Sequence, residues 1–168
     1  DASGKDAWKL DVTRSDVELE DRKDREIASY KIKAGRLRIK QGKSKVLGYV
    51  QPVSKKKGFR ILDPSKKKTR FLLSPEPDGD WRLETKDGRV LLKIKKRESG
   101  FKIVSAKGDT RAKVKVRKGK TSLRDAKGKT TLSTRDPIPP LAAACLTLEP
   151  LSMPERVGLC LAIIQWGS

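Results

Sequence analysis

Every second residue is cationic in two runs that lie twenty positions apart: Lys93, Lys95 and Arg97, and then Lys113, Lys115 and Arg117. Because side chains at spacing two project from the same face of a β-strand, each run places three cations together. If the two strands pair, six like charges share one sheet face, which is destabilising without counterions. The pattern predicts a surface that binds polyanions; the alternative is a solvated outer wall.

Two lysine triplets are a second set of candidates. The first triplet is Lys55, Lys56 and Lys57, and the second is Lys66, Lys67 and Lys68. They flank a predicted strand at Gly58–Leu62, and Arg70 follows the second triplet. They form one anion-binding patch only if the two turns fold together. Otherwise they are charged turns in water.

The residue types for catalysis and metal binding are scarce. The chain has no His, which removes the usual general base and the commonest metal ligand. Asp78-Gly79-Asp80 lacks the ligand spacing of a calcium loop and is typical of a turn. Cys145 and Cys160 lie in apolar surroundings, so we expect buried free thiols, the alternative being a disulfide in an exported protein. We predict no enzyme activity, no metal and no cofactor.

Charge divides the 168 residues into three parts. Residues 1–28 form an acidic N-terminal segment, part strand or tether, with a net charge of −3. Residues 29–134 hold 33 basic and 9 acidic residues, a net charge of +24, and residues 135–168 have a net charge of −1. We expect residues 29–168 to form a single domain whose positive charge lies entirely in its β region.

Short alternating apolar runs separated by Gly turns fill the middle of the chain, as in the five residues from Lys113 to Arg117. Alternation of this kind is typical of half-buried strands. A unit of strand, Gly turn and strand recurs every twenty residues, marked by Gly88, Gly108 and Gly128. The sequence predicts a mostly β fold, an antiparallel meander of about twelve strands, and we expect it to close into a barrel because closure removes exposed edges.

The C-terminal segment has a different pattern. Ser152-Met153-Pro154-Glu155 has the form of a capping box with Pro in the first turn. An apolar stretch follows to Trp166, which predicts a helix over about residues 153–166. Because this stretch is apolar all round, we expect the helix to be buried inside the barrel. It is too short to span a membrane.

About twelve strands followed by one apolar helix, over residues 29–168, resemble the tubby-like fold of tubby C-terminal domains, phospholipid scramblases and LURP-one-related plant proteins. The hairpin signature from Phe101 to Gly108 is similar to their strand-turn-strand units. Tubby domains bind phosphoinositide head groups through basic side chains, so the resemblance implies an anion-holding surface. No ligand residue of that group aligns with a particular position here.

Together these patterns predict a non-enzymatic binding domain that engages polyanions through a basic outer wall. The leading partners are anionic lipid head groups or an anionic cell-surface polymer. Charge alone also permits non-specific nucleic-acid binding, although aromatic stacking residues are few. A third alternative is a purely structural cationic scaffold. The chain begins at Asp1 rather than Met, which is compatible with an exported or membrane-peripheral bacterial protein.

Overall fold

A computed structural model describes residues 8–12, 17–53 and 58–167 and contains thirteen strands and two helices. The mostly β class is therefore confirmed. The elements are β1 (Trp8–Val12), β2 (Val17–Asp21), β3 (Glu26–Lys33), β4 (Arg36–Gln41), β5 (Lys45–Val53), β6 (Gly58–Leu62), β7 (Thr69–Pro75), β8 (Trp81–Thr85), β9 (Val90–Arg97), β10 (Gly100–Ser105), β11 (Thr110–Arg117), β12 (Lys120–Asp125), β13 (Thr130–Thr134), α1 (Pro140–Cys145) and α2 (Met153–Trp166).

The strands form one antiparallel meander in which each strand pairs with the next along the chain, from β1 to β13. Within the described residues β13 does not pair with β1, so closure into a barrel stays a prediction. The strands β1 and β2 lie inside the acidic segment 1–28, and β3 crosses its boundary. The acidic segment thus contributes strands to the same sheet as the basic part of the chain.

The repeat extends over six hairpins rather than the three that the sequence showed, with a spacing of 20 or 22 residues. In each hairpin the register shifts by a β-bulge directly after a buried aliphatic residue. These residues are Leu19, Ile39, Ile61, Leu83, Ile103 and Leu123, none more than 5% exposed. The repeat therefore alternates one kind of turn, at the bulged end of the sheet, with a second set of turns at the opposite end.

Hydrogen bonds show why glycine recurs in the last three bulged turns. The Gly88 N–H donates to the Thr85 carbonyl, Gly108 to Ser105 and Gly128 to Asp125, with N to O distances of 2.9 to 3.0 Å. All three glycines have positive φ, between 81° and 97°. Residues other than glycine rarely adopt this backbone conformation, so the spacing of glycines in the sequence indicates the spacing of turns.

Both helices pack on the apolar face of the sheet. The longer helix α2 lies against β3 to β6, and α1 lies against β10 to β12 and against α2. The contact is close at Gly158, where a Cβ atom would lie 2.8 Å from Ile39 Cδ1. Burial of α2 ends in its last turn, where Ile164 is 44% exposed and Gln165 is exposed. Among the described residues no helix is both long enough and apolar enough to cross a bilayer.

Candidate anion-binding surface

Strand β10 separates the two cationic runs, because β9 and β11 each pair with β10. The direct pairing considered for these runs is therefore wrong. The members of both runs still project from the outer face, since the residues between them are buried, as Ile94 and Val114 show. The two runs lie about 10 Å apart, at twice the usual strand separation.

Strand β10 places a further cation, Lys102, between the two runs. Lys95 lies opposite Lys102, Lys102 lies opposite Lys113, and Lys113 lies opposite Arg124. We call these four residues the basic row. Directly opposed side chains have Cβ atoms about 5 Å apart, so each cation in this line across four neighbouring strands has the next one directly beside it. The remaining run members lie on either side of the row: Lys93, Arg97, Lys115 and Arg117.

No member of the basic row has an acidic partner among the described residues, and all four side chains are half-buried. The neighbouring strand β8 differs, because Arg82 lies 3.1 Å from Glu84 and 3.7 Å from Glu76. Buried in part and without a counter-charge, the row is a place where an anion would relieve repulsion.

The described members of the second set of candidates do not converge on the row. Lys66, Lys67 and Lys68 lie in the turn between β6 and β7, and the Lys66 ammonium is 4.9 Å from the centre of the Tyr49 ring. A depression of about 230 Å³ there is shared by Lys66 with Arg36 and Arg38. Lys55, Lys56 and Lys57 lie outside the described residues.

Arg70 has an internal partner. Its Nη1 lies 2.5 Å from Glu155 Oε1, and its guanidinium carbon lies 5.3 Å from the centre of the Phe71 ring. Glu155 is 3% exposed. The charge of Arg70 is thus compensated within the fold.

Acidic side chains meet in one turn. Carboxylate oxygens of Glu76, Asp78 and Asp80 lie within 4.8 Å of one another. Asp78 Oδ1 accepts the Asp80 backbone N–H at 3.0 Å, and Asp80 Oδ1 accepts the Lys96 N–H at 2.7 Å. These bonds shape the turn between β7 and β8 and give the basic face an acidic boundary on that side.

Both cysteines are free and buried, as the sequence analysis predicts. Burial raises the pKa of the Cys160 thiol to about 12. Burial also raises the pKa of Cys145 well above its usual value, and the nearby Cys160 raises it further to a smaller extent. Because the thiolate is the reactive form, neither side chain is suited to act as a nucleophile.

Sequence reasoning missed Lys102 and Arg124. Alternation alone places both on the outer face, since each adjoins a buried aliphatic residue, Ile103 and Leu123. What alternation lacks is register, which the bulges set. The sequence matches no protein-family model and no curated protein.

Proposed function

We propose that this chain is a non-enzymatic domain that binds polyanions through the basic row. The observation that carries the proposal is the register, which brings Lys95, Lys102 and Lys113 side by side with Arg124 and without acidic partners among the described residues. A multivalent anion laid across the row releases the counterions that those charges otherwise hold, and this release favours binding.

A binding role is proposed instead of catalysis because the usual reactive groups are missing or suppressed. The sequence has no His. The thiols of Cys145 and Cys160 are buried, with raised pKa values. The cationic face is instead suited to bind anions. Lysine ammonium groups are point charges on flexible stems and impose little geometry on a ligand.

The proposed ligands are anionic lipid head groups or an anionic cell-surface polymer, which both present arrays of negative charge. The tubby-like resemblance supports this choice, and we extend the proposal to a relationship with that fold. Its support is the long antiparallel meander with the apolar helix α2 at the C-terminus. In tubby domains basic side chains bind phosphoinositide head groups.

The test is co-sedimentation with phosphatidylcholine vesicles that contain or lack phosphatidylglycerol, over a series of salt concentrations. We expect binding only to the anionic vesicles and a steep loss with salt. The row variant Lys95→Gln, Lys102→Gln, Lys113→Gln should bind more weakly, and its log–log salt slope should fall by up to about three, one per lost contact.

The matched control is Lys45→Gln, Lys107→Gln, Lys127→Gln, which removes the same charge from exposed residues outside the row, one at the start of β5 and two in turns. Equal weakening in both variants would show that net charge, and not the row, governs binding. Retardation of duplex DNA in a gel without binding to anionic vesicles or to dextran sulfate would replace the proposal by nucleic-acid binding. Binding to none of these would leave a structural scaffold.

A further inference from the structure

A depression of about 470 Å³ lies on the outer face where β11, β12 and β13 meet. Six of its eight lining residues are cationic, and the cations are Lys115, Arg117, Lys118, Lys120, Arg124 and Arg135. Three of the six are arginines, whose planar guanidinium groups bind phosphate and carboxylate through two parallel hydrogen bonds. We call this concavity the β11–β13 depression.

The backbone fixes this cluster. The turn between β11 and β12 has positive φ at both central residues, 49° at Lys118 and 71° at Gly119, as a tight hairpin turn of type I′ requires. That turn sets Arg117 directly opposite Lys120. Arg135 follows β13, whose last residue lies opposite Thr121 near the same end. Cations from two strands, from the turn that joins them and from the residue after β13 therefore converge at this end of the sheet.

The depression has no compensating charge of its own. None of its eight lining residues is acidic, and none of the six cations has an ion-pair partner among the described residues. Arg124 Nε is shielded from solvent and has no hydrogen-bond acceptor there. The acidic turn that contains Asp78 and Asp80 instead borders β9, on the opposite side of the basic face.

The shape distinguishes this cluster from the basic row. The row is a line of charges across a sheet, whereas the depression is a concavity whose lining also includes Ser122, a residue only 9% exposed. One singly substituted phosphate carries at most two charges and would leave most of the six cations unpaired. A compact anion with several phosphates matches both the charge and the size of the concavity.

We propose that the β11–β13 depression, which adjoins the basic row and shares Arg124 with it, is a site for a compact anion that carries several phosphate groups close together, on a soluble molecule or on a lipid head group. This inference rests on the proposed polyanion-binding function and adds a stoichiometric site to it. The arginines supply paired hydrogen bonds to phosphate oxygens, and the lysines supply charge.

The experiment is isothermal titration calorimetry of the full chain with inorganic tripolyphosphate and with orthophosphate. We expect one tripolyphosphate per chain, bound at least about tenfold more tightly than orthophosphate, a difference of about 1.4 kcal/mol. The site variant Lys115→Gln, Arg117→Gln, Lys120→Gln should lose at least about tenfold in tripolyphosphate affinity. These three residues are exposed, so we expect the variant to fold. Its thermal unfolding curve checks this.

The matched control is Lys45→Gln, Arg89→Gln, Lys107→Gln, which replaces one arginine and two lysines at exposed positions outside the depression. It should keep the affinity of the parent within about twofold. Equal losses in the two variants, or tripolyphosphate bound no more tightly than orthophosphate, would overturn the site. The proposed function would survive either result if the row variant still lost vesicle binding.

A second arm separates the two sources of phosphate. Vesicles that contain cardiolipin carry two phosphates per lipid, and vesicles with phosphatidylglycerol at the same total charge carry one. If the depression holds a head group, the parent should prefer cardiolipin and the site variant should lose that preference. If the site variant loses tripolyphosphate binding without any change toward either vesicle, the site takes the soluble anion. Failure of all vesicle binding alongside intact tripolyphosphate binding would remove the proposed function and leave the site.

Discussion

Arg70 Nη1 lies 2.5 Å from Glu155 Oε1, and this ion pair joins strand β7 to the first turn of helix α2. The other carboxylate oxygen of Glu155 accepts the Ser152 backbone N–H at 2.9 Å and the Ser152 hydroxyl at 2.8 Å. The Glu155 side chain is 5% exposed. One carboxylate thus closes the predicted capping box and anchors the helix to the sheet.

We predict that Arg70→Met lowers the free energy of unfolding by about 2–3 kcal/mol, because it removes a charged donor from a buried carboxylate while keeping an apolar stem beside Phe71. Urea unfolding followed by circular dichroism measures the change. Arg70→Lys, which keeps the charge, should lose less. A double-mutant cycle with Glu155→Gln that shows no coupling between the two positions would contradict this account.

Two adjacent isoleucines in α2 test which face of the helix is in the core. Ile163 is 3% exposed and Ile164 is 44% exposed. We predict that Ile163→Ala costs about 2–5 kcal/mol through loss of apolar contacts and formation of a cavity. Ile164→Ala should cost less than about 1 kcal/mol, since half of its surface is already in water. Equal losses in urea unfolding would mean that the helix is rotated relative to the packing described above.

Local patterns in this chain carry most of the fold. Alternation around Ile94 and Val114 predicts strands, and the capping box at Ser152 predicts the start of a helix over 153–166, which the structure places at Met153–Trp166. Both signals depend only on neighbours along the chain, since the period of side-chain direction and the satisfaction of helix N–H groups are local.

The functional surface depends on information that alternation does not contain. Lys102 and Lys113 become neighbours only through the register of β10 with β11, and that register is shifted by the bulge after Ile103. Arg70 is an outward cation by pattern, but its partner Glu155 lies 85 residues away. Cross-strand neighbours and long-range ion pairs depend on tertiary structure. Local patterns therefore predict which residues are outward-facing cations, but not which of them lie together.

The buried cysteines give a prediction about reactivity. Since burial raises the pKa of Cys160 to about 12, its thiolate is scarce near neutral pH. We predict that Ellman's reagent labels neither thiol in the native chain on the timescale on which an exposed Ser99→Cys variant reacts fully. Addition of denaturant should release two thiols per parent chain. Rapid labelling of the native parent would show that this part of the core opens.

Asp21 gives a prediction about pH. Hydrogen bonds from the Arg25 side chain and from the backbone of Lys23 and Arg25 lower the pKa of Asp21 to about 2. Because the folded pKa is depressed, the stability that this ionised carboxylate contributes is present above its unfolded pKa, about 3.9. It is lost as pH falls from about 4 to about 2.

In Asp21→Asn the unfolding midpoint should therefore lie below that of the parent at neutral pH, and the difference should shrink as the pH approaches 2. Asp87→Asn is the control, because Asp87 is exposed and its only described partner, Lys86, is 3.9 Å away. A constant difference between Asp21→Asn and the parent across this pH range would show that the titration of Asp21 is not coupled to folding.

The basic row makes a prediction about stability that is separate from ligand binding. Lys102 lies directly opposite Lys95 on one side and Lys113 on the other, and like charges in this arrangement destabilise a sheet. The row variant with Gln at these three positions should therefore melt above the parent at low salt. The difference should shrink toward about 1 M salt, where the screening length is about 3 Å.

Dextran sulfate should raise the melting temperature of the parent more than that of the variant, because a ligand stabilises the state that binds it. The matched control Lys45→Gln, Lys107→Gln, Lys127→Gln should follow the parent in both measurements. A row variant that melts below the parent at low salt would mean that the lysine stems stabilise the sheet by packing, and that repulsion within the row is not the force that an anion relieves.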